Sequence, residues 1–600
     1  MKILKKNNFI AIGLTVFLIM WLLAACKNRS QKSIIEFKFL QTSDVHGAIY
    51  PYDFIRDTTV NYSLAQVHTY VKKLRNTDAF EVILLDNGDI LQGQPTVYFS
   101  NYENTGSNHI CSDVMNYMKY DAAAVGNHDI EAGHDVYDAL VDEFKFPWLA
   151  ANAVDTEENK PYFEPYMILE RKGIKIAILG LITPGIPKWL PNKLWDGMEF
   201  RDMVETADYW VHLIREQEDP DILIGLFHSG HNARYGGMTE STYMNENASV
   251  LVAERVPGFD IIFIGHDHDT YNAFVKDPAG NDVLVLDPGS RARFISEATI
   301  RLEWDPKNQA YSKTVTGRLV ETSEQVPDPE FMSEFAGAFE QIKEYVSQPV
   351  GHLNAPISSS DALFGDDPFM DLIHTVQLET SGAQISFAAP LSFNVQIDSG
   401  ILYVRDFFQL YRFENFLYTM SLSGKEIHDY LEYSYDLWMN HMRSTDDNLL
   451  RFELDEAGNL RRFVTGPEYR LKNSYYNFDS AEGIIYTVDV SKPMGQRISI
   501  HGLQSGTAFN YSENYTVAIN SYRGQGGGGH LVTGAGIGAS ELAERVLTST
   551  DHDLRYHMMH WMESFESFHP RASDNWHVVP QEWTEKAAKK DYEILFNPSQ

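Results

Sequence analysis

The chain has 600 residues, well beyond one domain at about 150 residues each; 44% are hydrophobic and 13% aromatic. That supplies apolar surface for large cores and excludes disorder, collagen and coiled coil as the main architecture. With 49 basic and 83 acidic residues the net charge is −34. No basic excess can track a polyphosphate backbone, which argues against a nucleic-acid polymer as partner.

The first segment reads as an address. Lys2, Lys5 and Lys6 precede an apolar run from Phe9 to Leu23, too short to span a bilayer at about 20 residues. It ends in Leu23-Ala24-Ala25-Cys26, the small-residue site of a secretory signal. A terminal cysteine there resembles the lipobox of bacterial lipoproteins. The resemblance implies cleavage after residue 25, a lipid on Cys26, and an exported chain tied to periplasm or outer membrane by that anchor alone. Cys111 is the other cysteine. It sits in Ile110-Cys111-Ser112-Asp113-Val114-Met115, whose spacing predicts a helix with a buried, inert thiol.

Residues 33–325 alternate short apolar runs with helical patterns. Strands are expected at Glu36–Thr42, Val82–Leu85, Ala122–Val125, Ile174–Leu181, Ile222–Phe227, Ile261–Ile264 and Val283–Leu286; helices are expected at Leu64–Leu74 and Asp202–Glu216. Continuous apolar runs suit strands covered on both faces, so the fold class is α/β in layers. Pro327 and Pro329 break the pattern. Residues 326–350, with a helix over Glu330–Val346, read as an interdomain connector. Residues 351–583 form a second, aromatic-rich α/β domain, and 584–600 read as a charged tail.

Five strand ends carry the chemistry. They are Thr42-Ser43-Asp44-Val45-His46-Gly47, Asp86-Asn87-Gly88-Asp89, Gly126-Asn127-His128-Asp129-Ile130-Glu131, Phe227-His228-Ser229-Gly230-His231 and Gly265-His266-Asp267-His268. Glycines are expected to close the turns. Mixed His, Asp and Asn donors suit zinc, manganese or iron. They exceed what one ion needs, and two divalent ions sharing a carboxylate would use them all.

Here the chain resembles the calcineurin-like metallophosphoesterases, with all five family blocks spanning Asp44 to His268. The resemblance implies a four-layer αββα domain. It implies Asp44, His46, Asp89 and His268 around one ion, and Asp89, Asn127, His228 and His266 around the other, with His231 in reserve. It also implies that His128 faces the phosphate, oriented by an acid at the position of Glu131. The second half resembles the C-terminal domain of bacterial and animal nucleotidases. The segments that carry this are Ala383–Leu391, Leu410–Tyr418, Asn477–Pro493 and Asn520–Gly529. Phe413 and Tyr522 then sandwich a nucleobase and Asn415 contacts it. The 5′-nucleotidase branch carries an arginine where this chain has Phe387–Phe393. The wording of the aromatic segments is closer to the 2′,3′-cyclic-nucleotide 2′-phosphodiesterase/3′-nucleotidase branch. The expected substrates are therefore cyclic nucleotides or mononucleotides, and the expected state is a monomer. The alternatives are a 5′-nucleotidase or UDP-sugar hydrolase, a dimanganese hydrolase of sulfur oxidation, and a non-catalytic nucleotide-binding lipoprotein.

Overall fold

The structure is a computed structural model that describes residues 34–462 and 469–597. Cys26 and the leader lie outside the described residues. Among the described residues no helix is long and apolar enough to cross a membrane.

Two six-stranded sheets face each other in the first half. One runs Ala310–Glu321, Phe294–Asp305, Ile34–Thr42, Glu81–Asp86, Ala122–Ala124, Trp148–Leu149. The other runs Thr270–Lys276, Asp282–Pro288, Ile261–Ile264, Ile222–His228, Ile174–Ile182, Tyr166–Arg171. In the first sheet the two pairings nearest the Ala310–Glu321 edge are antiparallel and the other three parallel; in the second both edge pairings are antiparallel and the three between them parallel. Strand alternation sends Phe37, Phe39, Ile83 and Leu85 inward to meet Ile176, Ile178, Ile224 and Leu226 of the opposite sheet. Leu40 and Leu84 point outward onto helices Leu64–Arg75 and Ile110–Met118. Leu179 and Leu223 do the same for helices Met203–Gln217 and Ser249–Arg255. The layers are therefore helix, sheet, sheet, helix. Ser63 and Asp202 accept backbone N–H bonds at two of these helix starts. The Cys111 thiol is buried in its helix, as its spacing predicts.

The connector differs from expectation. It forms two helices, Pro329–Glu334 and Ala336–Val346. Phe335 breaks them at φ −98° and ψ 14°. Phe335 is not itself a breaker residue, although Gly337 stands in the first turn of the second helix. Packing makes the break: the Phe335 ring lies 4.9 Å from Phe331 and 5.3 Å from Tyr117, and its carbonyl accepts from Tyr50 Oη at 2.9 Å.

The second half has a five-stranded sheet in the order Ser480–Glu482, Ile385–Ala388, Asn514–Asn520, Phe416–Ser423, Val546–Asp553. A three-stranded sheet adds Ile498–Leu503, Ile484–Asp489 and Trp576–Val579. Its own core includes Phe387 stacked on Tyr430 at 4.1 Å, with Tyr435, Trp438 and Trp576. The segment read as a charged tail is not one. Gln581–Phe596 is a helix whose buried stripe is Thr584, Ala587, Asp591 and Leu595. Its exposed charges lie on the outer face, and Asp591 accepts from Asn448 Nδ2 and the Leu450 N–H.

The domains share an apolar cluster. Val97 and Tyr98 of the first lie in one core with Phe407, Phe408 and Leu554 of the second. Tyr98 Oη donates to Asp553 at 3.0 Å, and Lys193 Nζ sits 3.7 Å over the Phe416 ring.

Candidate dimetal active site

The parallel strands deliver their carboxyl ends to one place. Strands Ile34–Thr42, Glu81–Asp86 and Ala122–Ala124 bring Asp44, His46, Asp89 and Asn127 from one sheet. Strands Ile222–His228 and Ile261–Ile264 bring His228, His266 and His268 from the other. Ligand atoms of Asp44, His46, Asp89 and His268 lie within 4.8 Å of one another, as do those of Asp89, His228 and His266. Asp89 belongs to both groups. Asn127 Oδ1 joins the second at 2.8 Å from His266 Nδ1 and 3.2 Å from His228 Nε2.

The turns are tighter than the glycines alone would make them. Asp44, His46, Asp89, His266 and His268 themselves adopt positive φ between 49° and 80°, a region that side chains disfavour and that clusters at functional sites. Two glycines give room instead. A Cβ at Gly126 would lie 2.2 Å from Asp89 Oδ1, and one at Gly265 2.6 Å from Asp44 Oδ2.

Backbone carbonyls fix the imidazoles. His46 Nδ1 lies 2.9 Å from the Gln92 carbonyl and His228 Nδ1 lies 2.6 Å from that of Asn87. Each ring therefore keeps its proton at Nδ1 and turns Nε2 to the centre. Burial opposes a charge on His228, but Asp89 at 3.1 Å outweighs it and raises the ring to about 9, so a bound ion there would displace a proton from Nε2. Burial, with the neighbouring His268, lowers His46 to about 3, and burial, with His228, lowers His266 to about 4. Both are neutral ligands at neutral pH. Burial would raise Asp44, but the His268 hydrogen bond and the charges of His228 and His268 hold it at about 2. His46 Nε2 faces His268 Nε2 at 2.9 Å. Two ring nitrogens so close, beside two buried carboxylates, suit a shared cation. The set fits two divalent ions of the zinc, manganese or iron kind.

His128 stands beside the ligands. Its backbone N–H donates to Asp89 Oδ1 at 2.8 Å, and its Nδ1 lies 2.5 Å from Glu131 Oε2. Burial opposes its charge, yet Asp89 and Glu131 outweigh that and raise it to about 10. His231 lies apart from the ligands, paired with Asp267 at 2.7 Å and stacked on Tyr271.

Sequence reasoning missed the supporting residues. Asp129 accepts from the N–H groups of Gly126, Asp89, Ile90 and Leu91 at 2.7–3.1 Å, clamping two metal loops together. It stands within the third block, so its carboxylate was a visible signal. Trp189 stacks on His266 at 5.6 Å, from a loop with no motif of its own.

In the second domain, Phe413 and Tyr522 are half-buried, and among the described residues neither ring stacks on another aromatic ring. Asn415 is buried, its Nδ2 3.4 Å from Tyr411 Oη. Under Tyr522, Arg523 makes a two-pronged pair with Asp479 at 2.8 and 3.0 Å and also holds the Gly527 carbonyl.

Comparisons with known proteins agree with this layout. Residues 37–270 match the calcineurin-like phosphoesterase family and residues 349–534 the 5′-nucleotidase C-terminal domain family. The Bacillus subtilis trifunctional nucleotide phosphoesterase protein YfkN is 25% identical over 91% of this chain, which spans only 39% of that protein's length. The Salmonella typhimurium 2′,3′-cyclic-nucleotide 2′-phosphodiesterase/3′-nucleotidase is 26% identical over 95% of this chain and 92% of its own. In fold, a 5′-nucleotidase precursor from Thermus thermophilus has a TM-score of 0.60 at 19% identity, covering 91% of this chain and 100% of that one. The chain is thus a metal-dependent phosphoric ester hydrolase, built of a calcineurin-like phosphoesterase domain and a 5′-nucleotidase C-terminal domain.

Proposed function

We propose that the chain is exported, anchored by lipid at Cys26, and hydrolyses 2′,3′-cyclic nucleotides to 3′-nucleotides and these to nucleosides and phosphate. The observation that carries the chemistry is the pair of donor groups sharing Asp89, with the His128–Glu131 couple beside them. Relatives bearing the cyclic-phosphodiesterase name align over 91–92% of their own length, which favours that branch.

Asp44, His46, Asp89 and His268 would hold one divalent ion; Asp89, Asn127, His228 and His266 the other. When bound, the ions neutralise phosphoryl oxygens and lower the pKa of water to near neutral. The chain's own residues do the rest. Glu131 fixes the His128 ring through Nδ1, leaving Nε2 to hold a proton against the phosphoryl group or pass it to the leaving oxygen. Phe413 and Tyr522, neither stacked on another aromatic ring among the described residues, supply ring faces for a base, and Asn415 offers an amide at its edge. Opening the cyclic ester and removing the 3′-phosphate both place water on phosphorus, so one site serves both.

The test is phosphate release with manganese or zinc from 2′,3′-cyclic AMP (with an added monoesterase), 3′-AMP and 5′-AMP. Turnover of the first two with little on 5′-AMP supports the reading. Preference for 5′-AMP keeps the metal site and overturns the branch. No turnover of any nucleotide by metal-loaded protein overturns the substrate class.

A further inference from the structure

The chain is strongly acidic, yet three arginines near the site have no acidic partner. Arg56 lies on the turn after strand Tyr52–Asp53, Arg291 on the loop after strand Asp282–Pro288, and Arg412 directly before Phe413. Among the described residues none of the three guanidinium groups pairs with a carboxylate. The Arg412 guanidinium lies 5.8 Å from the Phe413 ring and hydrogen-bonds Tyr475, whose hydroxyl also feels the Arg291 charge. Gln409 Nε2 contacts the Ile55 carbonyl at 3.5 Å, joining the Arg56 turn to the Arg412 segment.

Arg291 ties this group to the metal ligands. Its N–H donates to the Asp44 carbonyl at 2.8 Å. It sits at φ 60° with Ala292 at φ 54°, two consecutive left-handed residues without glycine. Such strain persists only where the surroundings impose it. Arg412 keeps exposed surface, yet the neighbouring protein and the like charges of Arg291 and Arg56 push its guanidinium below the ordinary range. Three guanidinium groups without a carboxylate partner, on segments that adjoin Asp44 and Phe413, match an anion with several oxygens.

We propose that Arg56, Arg291 and Arg412 receive a second phosphate group, so that the preferred nucleotides carry one besides the phosphate that is hydrolysed. This rests on the nucleotide reading above. Placed between the Phe413 slot and Asp44, the arginines hold the phosphate that does not react, while the metal ligands face the one that does. The group draws on both domains, with Arg56 and Arg291 from the first and Arg412 from the second.

The experiment compares kcat/KM for adenosine 3′,5′-bisphosphate and 3′-AMP in wild type, R56A, R412A and R412K. Wild type is expected to favour the bisphosphate by about tenfold or more. R56A and R412A should lose most of that ratio, R412K should recover part of it, and added salt should shrink it. A wild-type ratio near one, or a ratio that R412A leaves in place, overturns the proposal. A second readout is calorimetric titration of the chelator-treated full chain with inorganic pyrophosphate. Weaker binding in R412A than in wild type supports the arginine site, and equal binding overturns it. If neither nucleotide is turned over, the nucleotide reading falls, and the pyrophosphate titration alone decides the arginines.

Discussion

Asp89 and Glu131 are both buried carboxylates, but their contacts assign them different work. Asp89 touches both donor groups, whereas Glu131 meets only the His128 ring among the ligands and their neighbours. D89N should lower bound metal from about two ions per chain to below one and abolish turnover, read by elemental analysis beside activity. E131Q should keep both ions while kcat falls about 10–100-fold with little change in KM. The seven candidate metal donors come together in the structure because each follows a strand end, so order along the chain became proximity in space. Glu131 was legible by its offset from His128. Asp129 and Trp189 were not singled out: Asp129 was visible within the third block but acts through backbone N–H groups, and Trp189 acts through a ring face that leaves no residue pattern. The arginines escaped notice because their isolation from carboxylates is a fact of packing.

At the scale of elements, strands were easier to read than helices. The seven strand expectations in the first domain rest on apolar runs covered on both faces, and each appears. The connector's break at Phe335 and the helix at Gln581–Phe596 were hidden because aromatic packing and a sparse stripe of Thr584, Ala587, Asp591 and Leu595 decided them. The start of helix Pro368–Ser381 carries a further consequence. Asp367 caps it and Asp371 accepts from the Ser573 N–H at 2.5 Å, with one oxygen of each left unpartnered. Burial raises both to about 8, aided for Asp371 by Asp366 and Glu482 and for Asp367 by Asp366 and Asp361. An unfolded aspartate titrates near about 4. The folded state therefore holds the extra proton between those values. The stability it lends is complete below about pH 4 and drains away as pH rises to about 8, by roughly 1 kcal/mol per pH unit for each carboxyl concerned. D371N should flatten the wild-type decline of urea midpoint between pH 5 and pH 7.5, and the difference between the two curves isolates this group.

For the whole molecule, the two domains are not independent beads. Tyr98, Phe408 and Leu554 lie in an apolar cluster that also reaches the helices flanking the first sheet. Tyr98 and Phe408 rings meet at 5.3 Å, and the Arg555 guanidinium lies 3.9 Å from the Phe408 ring. Scanning calorimetry of the full chain should show one main transition. Phe408→Ala, at a cost of about 3–5 kcal/mol, should split it into two or broaden it, because the shared cluster loses its central ring. Two-domain organisation was readable from the change in texture near residue 326. The shared cluster was not, since its members lie hundreds of positions apart and look like ordinary core residues.

Cys111 offers a practical opening. Among the described residues it is the one free thiol, and it is buried in a helix where burial also pushes its pKa far up. A thiol-directed dye would pass it by. A chain beginning at Ile34 is therefore a nearly blank background for spectroscopy. Two cysteines introduced on the surface, one per domain, would report the distance between the domains molecule by molecule while nucleotides come and go.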